Sequence, residues 1–104
     1  MKMRIVFAAV ALAFGTVSAN AAEVVVDQSA KKFDKKKVSI KVGDSIKFTN
    51  SDSITHNVYS RKGMKFDLGA QKPGASASQV FDKAGKFKVR CAIHPRMKLD
   101  VEVN

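Results

Sequence analysis

Three side chains with metal-binding chemistry recur at every third position in the stretch Cys91-Ala92-Ile93-His94-Pro95-Arg96-Met97. A thiolate, an imidazole and a thioether are soft-to-borderline donors, and together they suit copper better than a hard cation. A loop between two strands can turn all three onto one ion. A blue-copper centre also needs a second imidazole, since its plane is two histidines and a cysteine with a weak axial methionine. The chain has two histidines, and the second is His56, in Thr55-His56-Asn57-Val58. The donor inventory thus matches the centre with no histidine left over. Taken alone, Cys91 reads as an inert core residue, because free cysteines are commonly buried. His94 and Met97 at the following third positions favour the ligand reading. Met97 is the donor most easily explained as core filling. Met64 is a rival thioether, but it lies far from any ligand in the sequence.

These donors need a scaffold, and the hydropathy pattern describes one. No stretch after the first two dozen residues keeps a helical period; alternation with a period of two recurs instead, the mark of half-buried strands. Strands are expected at Glu23 to Asp27, at Val38 to Val42 with Val38, Ile40 and Val42 inward, and at Ile46 to Asn50. Further strands are expected at Val58 to Ser60, Ala77 to Phe81, Phe87 to Cys91 and Leu99 to Val103. Gln28 to Lys37 reads as a polar loop or irregular edge around Phe33. Arg61 to Ser76, with Gly63, Gly69 and Pro73-Gly74, reads as the least regular part, pinned to the core by Phe66 and Leu68. Val80 or Phe81 is expected to contribute to the core. Seven or so short strands separated by turn signals argue an all-β sandwich. In that sandwich Phe87, Val89 and Cys91 share an inward face, and the Cys91 and Leu99 strands are neighbours joined by the donor loop.

Cys-x-x-His-x-x-Met after a strand, with His56-Asn57-Val58 upstream, resembles the cupredoxins, the blue-copper proteins of the plastocyanin/pseudoazurin/amicyanin group. The short His-to-Met spacing is similar to the amicyanin and pseudoazurin branch. Val42 to Asn50 resembles the strand-turn-strand that precedes the first ligand in that family. One position departs from the pattern: a proline often follows two residues after the family's counterpart of Phe33, and here Lys35 stands there. The resemblance implies a Greek-key β-sandwich and one copper ion cycling between Cu(II) and Cu(I), held by His56, Cys91, His94 and Met97. It implies a deep His56 and a His94 whose ring edge meets solvent. It also implies that Asn57 hydrogen-bonds across to the ligand loop and aims its backbone N–H at the cysteine sulfur. Pro95 stiffens the same loop by fixing its own backbone torsion. Ile93, with Ala92 and Pro95, forms an apolar patch around His94. Arg61, Lys62, Lys65, Arg96 and Lys98 are candidates for a basic ring around it.

The start of the chain reads as a leader. Lys2 and Arg4 precede an apolar run from Ile5 to Val17, and Ala19-Asn20-Ala21 offers small residues at the cleavage positions, the pattern of a secretory signal peptide. The run of about 13 residues is shorter than the roughly 20 that span a bilayer, so no stable membrane insertion is expected. Residues 1–21 are therefore expected to be removed, leaving one small domain over 22–104. A single cysteine in an exported chain pairs between molecules, stays reactive or binds metal, and the neighbouring donors point to metal.

Without Lys2 and Arg4 the formal charge falls from +10 to +8. Such a charge steers towards acidic partners. Outside the cytoplasm nucleic acid is a poor candidate. The expected partners are redox proteins with acidic surfaces; the resemblance suggests a c-type cytochrome or a periplasmic dehydrogenase or reductase. The expected function is a periplasmic, monomeric blue-copper electron carrier. No acid–base pair remains once both histidines are ligands, so no enzymatic activity is expected. The alternative is a copper protein for trafficking or storage.

Overall fold

The computed structural model describes residues 21–104; the expected leader lies outside the described residues, save for Ala21. Nine strands form two sheets, and no helix occurs among the described residues. They are β1 (Glu23–Ser29), β2 (Lys32–Phe33), β3 (Lys37–Ile40), β4 (Ser45–Asn50), β5 (His56–Ser60), β6 (Phe66–Gln71), β7 (Ser76–Val80), β8 (Gly85–Arg90) and β9 (Lys98–Val103). One sheet runs β2-β1-β4-β7 and the other β3-β9-β8-β5-β6. The β1–β4 and β3–β9 pairs are parallel and the remaining pairs antiparallel. This is the expected Greek-key β-sandwich.

Alternation puts one side chain in two between the sheets. Val26, Ile46 and Phe48 come from the first sheet; Val38, Ile40, Val58, Phe87, Val89, Leu99, Val101 and Val103 come from the second, and all are buried. Phe81 lies between edge-on Phe66 and tilted Phe87, at ring-centroid separations of 5.8 and 6.3 Å. Fully burying an aliphatic or phenyl side chain is worth about 1.5–3 kcal/mol, so this layer is the main stabilising term. Cys91 and Met97 belong to the same buried cluster. The donor loop is thus rooted in the core at both ends.

The chain departs from the expectations in three places. Val42 is 49% exposed, not inward. β3 ends at Ile40 because the Asp44 carboxylate accepts the Lys41 N–H and the Asp44 N–H returns to the Lys41 carbonyl, turning the chain at Val42-Gly43. Gln28 to Phe33 is not a loop: β1 continues to Ser29, and a two-residue turn at Ala30-Lys31 folds β2 back onto it. Phe66–Gln71 is a strand inside the stretch expected to be irregular. Between the pairs Asn57–Ala70 and Tyr59–Asp67, β6 carries one more residue than β5, and Gly69 takes φ +76° there. This bulge breaks the alternation that would have revealed the strand. Of the two core candidates at the end of β7, Phe81 is the one buried, as expected of one of them, and Val80 faces out.

Candidate metal centre

The centre lies at one end of the sandwich, where β5 begins and β8 gives way to β9. β5 starts at His56, which is fully buried. Residues 50–55 carry the chain to it, and Asn50 holds them: its Nδ2 donates to the carbonyls of Ile54 (2.9 Å) and Gln71 (2.8 Å). On the other side, β8 and β9 pair up to Arg90–Lys98, so residues 91–97 are a short excursion closed at its base. Within it the Met97 N–H donates to the His94 carbonyl at 2.9 Å, and the Arg90 guanidinium donates to the Pro95 carbonyl at 3.0 Å. The second contact ties the loop to the strand that delivers Cys91.

These anchors bring together three of the predicted donors. His56 Nδ1 lies 3.2 Å from His94 Nδ1, and Cys91 Sγ lies 3.8 and 3.9 Å from them respectively. Cys91 is buried at 1% exposure, and His94 is partly exposed. The triangle has the size of a trigonal metal site. For bonds of about 2.0–2.3 Å to nitrogen and sulfur, its edges subtend a little over 100° between the histidines and about 120–130° for each Cys–His pair. These total within about 10° of the 360° of a flat three-ligand plane. Two imidazoles and a thiolate converging on one point are the donor set of a copper centre. Met97, 2% exposed, lies in the same loop with its side chain in the core. His56, Cys91 and His94 are therefore a ready-made group for one ion.

Around the triangle, the Asn57 N–H points to Cys91 Sγ at 3.3 Å, the orientation that the family resemblance implies. The Asn57 side chain differs from that expectation. Its Nδ2 donates to Asp67 Oδ1 and to the Gly69 carbonyl, both at 2.9 Å, and so fills the β6 bulge rather than reaching the donor loop. The reason is positional: the extra residue in β6 presents both acceptors beside Asn57. These contacts, first Asn57 and then the Gly69 N–H, hold the Asp67 carboxyl below the usual carboxylate range.

One neighbour carries no sequence signature. Asp52 Oδ2 lies 3.0 Å from His56 Nε2, on the side of the ring away from the triangle. The Lys31 N–H, then the His56 ring, hold the Asp52 carboxyl below its ordinary range. A D-x-x-x-H spacing is the one signal available, and it is too common to single the residue out.

Outside the triangle, Ile93 (50% exposed), His94, Pro95 and Arg96 line a 450 Å³ groove with Ala30, Lys31 and Lys32. Lys98 faces a neighbouring recess with Arg96, Lys35 and Lys36. Arg61 and Lys65 line a depression on the other side of Ala92, beside Tyr59, over which the Arg61 guanidinium stacks at 5.2 Å. Basic residues thus flank the donor loop on both sides. Lys31 and Lys32, which composition alone could not place, join them through the β1–β2 turn. Lys35, at the position that departs from the family pattern, donates to the Val25 carbonyl at 2.8 Å and leaves the donors untouched.

Comparison with known proteins agrees with this geometry. The family described as "Copper binding proteins, plastocyanin/azurin family" matches residues 20–104. The methylamine utilization protein MauL of Methylorubrum extorquens is 38% identical over 65 residues, covering 61% of this chain and 57% of that protein. Amicyanin of Paracoccus denitrificans is 29% identical over 84 residues, covering 77% and 64%. The chain thus spans about three-fifths of the length of these relatives. A solved structure of a Met-to-Ala mutant of amicyanin with Cu(I) superposes with a TM-score of 0.74 at 27% identity, covering 84% of this chain and 89% of that one.

Proposed function

Because the chain belongs to the plastocyanin/azurin family of copper-binding proteins, we propose that it is a periplasmic one-electron carrier holding one copper ion through His56, Cys91, His94 and Met97. The observation that carries this reading is the close approach of Cys91 Sγ, His56 Nδ1 and His94 Nδ1, all within 3.9 Å of one another. Bound copper supplies the redox chemistry, a one-electron cycle between Cu(II) and Cu(I).

The residues supply the rest. Burial of Cys91 and His56 fixes two donors in the sandwich, so little rearranges between oxidation states. The Asn57 N–H stabilises negative charge on the thiolate. Met97, buried in the same loop, would serve as the axial donor, the ligand that tunes the potential. His94, partly exposed beside Ile93 and Pro95, is the contact point for a partner, and the short path through its ring serves the electron. The buried donors favour a carrier over a trafficking protein, which needs exchangeable metal. With both histidines as ligands, this reading makes the protein a carrier and not an enzyme in its own right.

The partner is a redox protein with an acidic face, a c-type cytochrome or a periplasmic dehydrogenase or reductase, met by a monomer. Lys31, Lys32 and Arg96 around Ile93 support this, as does the charge of +8 that remains once a leader over 1–21 is removed. Adding Cu(II) to the purified protein tests the function. An intense blue colour from thiolate-to-Cu(II) charge transfer is expected, and Cys91→Ser should abolish it while the circular dichroism of the sandwich is unchanged. A Cys91→Ser protein that stays blue would show the ligand assignment to be wrong.

A further inference from the structure

We propose that Asp52 is a positioning residue for the metal centre: its carboxylate holds the His56 ring from behind and fixes which nitrogen faces the ion. This rests on the reading of His56 as a ligand.

His56 is fully buried, so both ring nitrogens need partners. Nδ1 faces Cys91 and His94, while Nε2 has Asp52 Oδ2 at 3.0 Å. The hydrogen bond made by one ring nitrogen sets which nitrogen carries the proton. A carboxylate only accepts, so the proton lies on Nε2 and the Nδ1 lone pair is left for metal. The carboxylate is also a fixed negative charge close behind the ring. Its negative charge favours Cu(II) over Cu(I) and lowers the reduction potential.

The carboxylate is itself held. Oδ2 accepts the Lys31 N–H and Oδ1 the Ser53 N–H, both at 2.9 Å. The Asp52 N–H donates to Asn50 Oδ1 at 2.9 Å. Lys31 brings a distant element into this chain of contacts. Ala30 and Lys31 take φ +53° and +59°, the left-handed conformation that two-residue hairpin turns ordinarily give to Asn-Gly. Such strain persists where surrounding contacts over-determine it. The Lys31–Asp52 bond is one of those contacts, so the β1–β2 turn and the His56 loop brace each other. The same turn lines the groove beside His94.

Two variants separate bond from charge. Asp52→Asn keeps an acceptor for Nε2–H but removes the charge; Asp52→Ala removes both. In the metal-free full chain, nitrogen–proton correlation NMR reads the His56 tautomer. Wild type and Asp52→Asn should show a single Nε2–H form with a slowly exchanging proton, and Asp52→Ala should show mixed tautomers or a rapidly exchanging one. With copper bound, Asp52→Asn should raise the reduction potential. Asp52→Ala should weaken Cu(II) binding by about 10–100-fold, the usual loss when such a partner is removed. If Asp52→Ala fails to fold, the isosteric Asn variant decides. An Asp52→Asn potential equal to wild type overturns the proposal. So does an Asp52→Ala ring proton that stays on Nε2 with wild-type exchange. If the wild-type protein does not turn blue with Cu(II), the copper reading itself fails, a result separate from either.

Discussion

Asn57→Ala removes the side chain that fills the β6 bulge, and its cost can be worked from two contacts. The lost bonds run from Nδ2 to Asp67 Oδ1 and to the Gly69 carbonyl, each 2.9 Å long. A neutral hydrogen bond contributes about 0.5–1.5 kcal/mol net, and one to a charged group about 1.5–3 kcal/mol. Both acceptors sit on exposed residues, where water replaces part of each bond, so the lower end applies: about 1–3 kcal/mol in all. At roughly 4–8 °C per kcal/mol for a domain of this size, the melting temperature should fall by about 5–20 °C. The pH dependence identifies the cause. Asn57 and the Gly69 N–H depress the Asp67 pKa in the folded state. A depressed carboxylate stabilises above its unfolded value, and that contribution is lost as pH falls through the folded value. The gap between wild type and Asn57→Ala should therefore be full at pH 7, begin to narrow near pH 4, and shrink further in stronger acid. Urea titrations of the metal-free proteins at several pH values measure it, with Asp67→Ala and the double variant completing a cycle. A penalty that stays constant into acid, or one that adds fully to that of Asp67→Ala, would refute the reasoning.

Met97→Gln should keep the blue centre but lower its reduction potential, since a harder oxygen donor favours Cu(II); voltammetry reads the shift, and an unchanged potential would point away from Met97 as axial donor. Gly63→Ala and Gly69→Ala should differ in cost, although both glycines have positive φ. A Cβ on Gly63 would overlap the Phe87 ring, adding about 1–3 kcal/mol of overpacking, whereas one on Gly69 meets open space and bears the backbone term alone; denaturant melts compare them. The bimolecular electron-transfer rate with an acidic partner should fall steeply with salt, because charges beyond about 10 Å are screened at 0.1 M. Replacing Lys31 and Lys32 by glutamate should flatten that dependence in stopped-flow measurements.

The sandwich was legible wherever burial follows strict alternation, as in Phe87-Val89-Cys91 and Leu99-Val101-Val103, because each of those strands has one face on the core. The grouping of His56, Cys91 and His94 was legible because two of them share a short loop and the chain holds no spare histidine. Val42 misled because alternation runs on in the sequence into the turn that the backbone makes over Lys41–Asp44. Phe66–Gln71 was hidden by a bulge, whose extra residue shifts the side-chain period. Asp52 was hidden for another reason: its role depends on where a turn 21 residues earlier places one N–H. No local pattern encodes such a contact. The Asn57 backbone followed from the family pattern, whereas its side chain followed the local bulge.

His56 is 35 residues from Cys91 and 38 from His94 in sequence, and the chain has one cysteine. An ion bound between them is a crosslink, and no disulfide within the chain can supply another. Closing a loop of that length in the unfolded chain removes conformational entropy equivalent to about 4 kcal/mol by the chain-entropy relation for disulfides. Like a disulfide, this link joins elements far apart in sequence, β5 and the β8–β9 loop, which the second sheet brings side by side. Removing copper thus cuts a covalent-like tie across half the domain without breaking any bond of the polypeptide.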